Sequence, residues 1–326
     1  MIKTYSARGF LFVAFVTLIM SDDASAIFAA GTNARSIEHD GRSRFYNVYV
    51  PPGHDRTEPL PLVVDLHGYT STKEEQQRIS GWQQKADREG FFVAFPDGVQ
   101  FSWNAKVCCG DAVISGVNDV GFIVDMVAAI ELEGGLDGSR IYATGLSNGG
   151  AMTHRLACEA ADTFAAVAPI AFPVPYIDFN SECTPLRSIP VLLFMGLTDA
   201  IIPYANGPFG DAVESFNAWR AKQACGVKPP EERLSVGGSF CELDRTCAAN
   251  TSQVGLCSVR GSPFILGSTG DPTGVVLLNG HILYLNDDNI VLPDLIWDFF
   301  QNQSLGASAV TEKPLDTIFQ LLLLED

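Results

Sequence analysis

Ser147 lies in Gly145-Leu146-Ser147-Asn148-Gly149, after a short apolar run, Arg140-Ile141-Tyr142-Ala143-Thr144, and before a small-residue stretch, Gly150-Ala151-Met152-Thr153-His154. A serine hydroxyl is a poor nucleophile at its own pKa, so chemistry at Ser147 needs the hydroxyl lifted towards a base. A strand, a sharp turn and a helix in succession do this, and glycines two positions either side let strand and helix pass closely. The helix start also turns free N–H groups towards developing negative charge. The pentapeptide alone is equally a Gly-rich turn with an incidental serine. Its flanks give it the chemical reading.

A serine of this kind needs an acid and a histidine downstream, in that order. Five histidines are present: His39, His54, His67, His154 and His281. His39 and His54 precede the first core strands, and His154 lies about two turns along the elbow helix, facing away. His67 comes before the serine. His281, in Leu278-Asn279-Gly280-His281 after the apolar run 275–278, is the expected base. Asp199 follows the run 191–195 and is the expected acid, able to accept an imidazole N–H and fix its tautomer. Asp211, the alternative, reads as a first-turn helix residue. The oxyanion hole is expected from the backbone N–H groups of Asn148 and Tyr69, the latter in His67-Gly68-Tyr69-Thr70. Losing one such donor costs roughly 2.7–4 kcal/mol of transition-state stabilisation. His67 is expected to orient this loop beside the substrate.

These side chains must be carried by a scaffold. Residues 44–50 alternate like an early strand, and 60–66 is a continuous apolar run suited to a strand buried on both faces. Residues 73–89 read as a surface helix, 91–95 as a strand, and 119–133 as a helix with Asp119 as its N-cap. After the elbow come strands at 164–170 and 191–195, a helix at 211–223, a strand at 275–278 and a helix at 292–302. Strands alternating with helices imply an α/β class: one mostly parallel sheet covered on both faces. Residues 228–273 give few regular signals and are rich in Gly, Ser and Cys, as in a stapled insertion within a single domain spanning 27–303. The remainder, 304–326, is expected to be a short tail whose apolar run 318–324 docks on the body.

Composition bounds the rest. A chain of 326 residues that is 47% apolar can bury a large core. Lys3 and Arg8, the apolar segment 10–20 and Ala24-Ser25-Ala26 read as a secretory signal over 1–26, too short to serve as a membrane anchor. The eight cysteines then imply disulfides, with Cys158 and Cys183 as mates and the last four, from Cys225 to Cys257, pairing among themselves. Cys108 and Cys109, being neighbours, are expected to bond elsewhere than to each other. No zinc site is expected, because close C-x-x-C pairs are missing. A formal charge of −17 opposes nucleic-acid binding.

Several motifs recur in order: Leu66-His67-Gly68, Pro96-Asp97-Gly98, Trp103-Asn104-Ala105 with Cys108-Cys109-Gly110, and Asp119-Val120-Gly121-Phe122. Gly145-Leu146-Ser147-Asn148-Gly149-Gly150, Gly196-Leu197-Thr198-Asp199, Ile202-Pro203-Tyr204 and Gly280-His281 follow. Over 43–302 the chain resembles the polyhydroxybutyrate depolymerase/feruloyl esterase family of exported α/β-hydrolases. The resemblance implies an α/β-hydrolase fold and cofactor-free ester hydrolysis, with Ser147, Asp199 and His281 as triad and Trp103 lining the acyl pocket. The chain departs from the family at Met195, at Asn118, and at Ile282-Leu283-Tyr284 after the histidine. With no polymer-binding module following the catalytic body, the expected substrate is a soluble ester: a hydroxyalkanoate oligomer, or a feruloyl or acetyl group on polysaccharide. A prolyl-oligopeptidase-type peptidase and a non-catalytic binder on the same fold are the alternatives.

Overall fold

The computed structural model describes residues 28–53, 58–176, 178–226, 230–247, 252–262, 265–266, 276–277 and 280–306. The expected leader and nearly all of the expected tail lie outside these residues.

Ten strands form one sheet: β1 (Gly31–His39), β2 (Arg42–Val50), β3 (Leu60–Leu66), β4 (Phe92–Pro96), β5 (Leu136–Leu146), β6 (Ala166–Ile170), β7 (Val191–Gly196), β8 (Glu231–Val236), β9 (Ser239–Asp244) and β10 (Val254–Val259). Their spatial order is β1-β2-β4-β3-β5-β6-β7-β10-β9-β8. The central strands from β4 to β10 pair in parallel, with antiparallel strands at both margins. Every residue of β4, β6, β7 and β10 is buried, as parallel strands covered on both faces require.

The helices are α1 (Lys73–Ile79), α2 (Trp82–Glu89), α3 (Gly110–Ile114), α4 (Asp119–Glu133), α5 (Asn148–Glu159), α6 (Phe179–Glu182), α7 (Ala212–Lys222) and α8 (Leu292–Phe300). On one face α4, α5 and α7 bury Phe122, Met126, Leu156, Phe216 and Trp219. On the other, α2 and α8 bury Trp82, Ala86, Ile296, Trp297 and Phe300. This is the α/β class expected from the alternating pattern, with the strand order of the α/β-hydrolase fold that the resemblance implies.

The structure corrects several local expectations. The helix over 73–89 is two helices, broken at Ser80-Gly81, where Gly81 takes φ 76°. Asn118, not Asp119, caps α4 by accepting from the Gly121 amide at 3.1 Å. Asp119 is instead fully buried and faces Arg44. The 228–273 stretch is more regular than its composition suggests, because β8, β9 and β10 extend the main sheet. The strand expected at 275–278 is described as β12 (Val276–Leu277), which pairs with β11 (Ile265–Leu266) outside that sheet. The last parallel strand is β10. Cys158–Cys183, Cys225–Cys247 and Cys241–Cys257 pair as expected, but Cys108 and Cys109 pair with each other.

Candidate active site

Ser147 occupies the turn between β5 and α5 with φ 58° and ψ −118°, a region that a residue with a Cβ enters only when its surroundings force it. The forcing is local. The Ser147 amide donates to the Ile170 carbonyl at 2.8 Å, its carbonyl accepts from Ala151 at 2.9 Å, and the chain must reverse between them. Glycine is required at Gly149, where a Cβ would run into the carbonyl oxygen of Leu66. At Gly145 a Cβ would lie 2.7 Å from that of Leu66. The serine is half-buried.

Asp199 leaves the end of β7. Its Oδ1 accepts from the Ile201 and Ile202 amides, both at 2.8 Å, and its Oδ2 lies 2.7 Å from His281 Nδ1. A carboxylate only accepts, so Nδ1 carries the proton and Nε2 is left with its lone pair. Both residues are enclosed, at 6% and 5% exposure. Gly280 brings the histidine in at φ 71°, packed against Thr198, and Thr198 Oγ1 donates to Gly261 at 3.0 Å. Three loops therefore interlock beyond the ends of β7 and β10. Among the described residues no hydrogen bond joins Ser147 Oγ to His281. Such contacts commonly close only in the substrate complex.

The loop after β3 passes beside the serine, with the Cβ position of Gly68 3.5 Å from Ser147 Cβ. Tyr69 follows, its side chain 49% exposed. Neither the Tyr69 nor the Asn148 amide donates to another group among the described residues, and Asn148 opens α5.

His67 and Trp103, expected to border the substrate, are wholly buried and have no surface to offer one. They hold loops instead. Trp103 Nε1 donates to the His67 carbonyl at 2.9 Å, and His67 Nε2 accepts from the Gly98 amide at 2.9 Å. Burial lowers the His67 pKa, consistent with a neutral ring. His154, a further buried imidazole, accepts from Trp219 Nε1 at 3.0 Å, and burial pushes its pKa down to about 3. Asp211 caps α7 through the Val213 and Glu214 amides, so its carboxylate is committed there.

Two contributors escape sequence reading. The Asn148 side chain clamps the neighbouring loop: Oδ1 accepts from the Trp103 amide at 2.7 Å, while Nδ2 donates to the Trp103 and Cys108 carbonyls at 3.1 and 3.0 Å. Behind it, Asp119 accepts from the Asn104 amide and from Arg44 Nη2, both at 2.7 Å. Burial raises the Asp119 pKa, and the Arg44 guanidinium partly offsets this. The Asp119-Val120-Gly121-Phe122 motif is the signal that could have marked this residue as more than a cap. Among the described residues, Cys225, Asp244 and Cys247 form the group of metal-ligating types, but the two sulfurs are bonded to each other.

Similarity to known proteins accompanies this geometry. Feruloyl esterase B of Piromyces equi is 31% identical over 229 residues, covering 66% of this chain and 41% of that protein. Poly(3-hydroxyalkanoate) depolymerase C of Paucimonas lemoignei is 32% identical over 174 residues, covering 52% and 40%. The esterase NocK of Nocardia uniformis subsp. tsuyamanensis, itself described as putative, is 33% identical over 216 residues, covering 65% and 60%. The chain thus spans between two fifths and three fifths of the length of these relatives. The profile of the family described as esterase PHB depolymerase matches residues 44–199, from the start of β2 to the Asp199 that holds His281. Over that region, a little under half of the chain, the sequence matches the esterase PHB depolymerase family.

Proposed function

We propose that this chain is a serine carboxylic ester hydrolase in which Ser147, His281 and Asp199 act together. The observation that carries the reading is the 2.7 Å His281–Asp199 pair beyond β7, at the same sheet edge as a serine held at φ 58°. His281 Nε2 takes the proton of Ser147 Oγ as the oxygen attacks the ester carbonyl. The Tyr69 and Asn148 amides hold the resulting oxyanion. The imidazolium, stabilised by Asp199, protonates the leaving alcohol as the C–O bond breaks and an acyl-serine forms. Water, deprotonated by the same nitrogen, then attacks the acyl carbon, releasing the acid and restoring the serine. No step calls for a cofactor.

Feruloyl esters and poly(3-hydroxyalkanoates) are the candidate substrates we propose, on the strength of the relatives' names. Export is proposed from the cysteine usage, since all eight cysteines are disulfide-bonded. The deciding experiment pairs Ser147→Ala with fluorophosphonate labelling. We expect loss of nearly all turnover of p-nitrophenyl butyrate, methyl ferulate and hydroxybutyrate oligomers, and loss of label, with an unchanged circular dichroism spectrum. Retained hydrolysis of all three esters would reject the assignment.

A further inference from the structure

Behind the His281 loop lies a buried polar cluster that the ester mechanism does not use. Asp65 on β3, Gln76 and Ser80 around α1, and Trp82 on α2 are all enclosed. Gln76 Nε2 donates to Asp65 Oδ1 at 2.8 Å and reaches Tyr284 Oη at 3.2 Å. Asp65 Oδ2 and Gln76 Oε1 are both buried and have no hydrogen-bond partner. With Asp65 ionised, both of these atoms are acceptors, and neither can satisfy the other.

We propose that Asp65 works as a carboxylic acid paired with the Gln76 carboxamide, and that this pair, through Tyr284, positions the loop that carries His281. One proton on Oδ2 makes the exchange reciprocal, acid O–H to amide oxygen and amide N–H to acid oxygen. The alternative is a buried carboxylate held only by the neutral donors Gln76, Ser80 and Tyr284, which is costly without a cation. No cation faces it. Lys73 pairs with Asp97 and Glu74, and Lys85 with Glu89 and Asp294. The His67 ring is occupied by Gly68 and Gly98, and the Tyr142 hydroxyl donates to the Gln303 carbonyl. Tyr284 is the titratable group that meets Asp65: the carboxyl disfavours ionisation of the phenol, whereas the phenol hydroxyl favours ionisation of the carboxyl without outweighing its burial.

Burial pushes the Asp65 carboxyl up to about 8. Tyr284 stands three residues past His281, in a turn closed by the Leu285 amide donating to the Ile282 carbonyl at 2.9 Å. Ionising Asp65 would break the pair on which that turn rests. The positioning half of this inference relies on His281 being the base.

Asp65→Asn is the informative variant, because an asparagine amide reproduces both bonds and cannot ionise. In difference infrared spectra of the full chain between pH 6 and pH 10, we expect the carbonyl band of a protonated carboxyl to vanish with a midpoint near 8. That change should be missing in Asp65→Asn. With p-nitrophenyl acetate, kcat of the unmodified protein should fall through the same midpoint, while Asp65→Asn keeps its plateau. Tyr284→Phe should lower kcat about tenfold with little change in KM, as expected for a misplaced base. Absence of the band at pH 6, or an identical alkaline limb in Asp65→Asn, would overturn the proposal. If the band is present but the protein hydrolyses no ester, the acid–amide pair stands and its positioning role falls.

Discussion

Both oxygens of Asp199 are committed, one to two backbone amides and one to the imidazole, so the carboxylate cannot rotate without losing a partner. Its proposed task is to select the tautomer that leaves Nε2 free. Asp199→Asn should therefore lower kcat by about 10⁴-fold while leaving the fold intact, because the amide no longer specifies the correct ring proton. Steady-state kinetics beside a melting curve would check this, and a loss under tenfold would remove Asp199 from the triad. Asn148 offers a different test, since its backbone amide and its side chain serve separate purposes. Asn148→Ala keeps the amide but deletes three hydrogen bonds to the Trp103–Cys108 loop, each contributing about 1 kcal/mol. The expected result is a lower Tm together with a kcat reduced about 10–100-fold, because a loop shifted by about 1 Å beside Ser147, the proposed nucleophile, spoils alignment.

Arg44 on β2 and Asp119 at the start of α4 form a 2.7 Å pair, Arg44 3% and Asp119 0% exposed, and through Asn104 they hold the loop that Asn148 grips from the other side. Arg44→Met strands the Asp119 carboxylate in the interior and should cost about 3–5 kcal/mol in urea unfolding. Adding Asp119→Leu to Arg44→Met should recover much of that loss, because an apolar pair leaves no orphaned charge. An equal loss in single and double variants would contradict the account. The same elements show what a sequence makes legible. The elbow could be read because its rule is short-ranged: two glycines and a serine between a strand and a helix. The pairing of His281 with Asp199 could be read because chain order left one suitable histidine. Asp119 misled because a carboxylate before a helix is a good cap in isolation, and its distant partner Arg44 cannot be seen locally. β1 went unread because a polar margin strand alternates only between half-buried and exposed positions. β8 to β10 were obscured by Gly and Ser, and their regularity depends on β10 pairing with β7, far back in the chain, with β9 and β8 added outside it. The Cys108–Cys109 bond was missed because the expectation assumed that neighbouring cysteines must look outward for partners.

At the scale of the whole molecule, acidic groups pull stability in opposite directions with pH. Burial raises the Asp244 carboxyl, but hydrogen bonds from Thr246 and the ion pair with Arg220 outweigh this and hold it below its ordinary value. Asp294, paired with Lys85 and Arg88, is lowered against its own burial in the same way. Stability from such depressed carboxyls is complete above the unfolded pKa of about 4 and is lost as pH falls through the folded values. Asp65 has the opposite sign: its folded pKa is raised, so its contribution is complete below about 4 and is lost as pH rises towards about 8. A Tm profile with its maximum on the mildly acidic side is expected, and Asp65→Asn should flatten its alkaline slope. The disulfides add a covalent layer whose weight follows the loop each one closes. Cys158–Cys183, Cys225–Cys247 and Cys241–Cys257 span separations of 25, 22 and 16 residues, and each should contribute about 3 kcal/mol by limiting the unfolded chain. Cys108–Cys109 has a separation of 1 and restricts almost none of that freedom. Replacing Cys158 and Cys183 together by serine should lower Tm by about 6–12 °C, whereas replacing Cys108 and Cys109 together should shift it far less. The vicinal pair would then register in ester turnover instead, since the side chain of Asn148, the residue after the proposed nucleophile Ser147, holds the Cys108 carbonyl. Equal losses of Tm from the two double variants would mean that the loop-length argument does not govern this molecule.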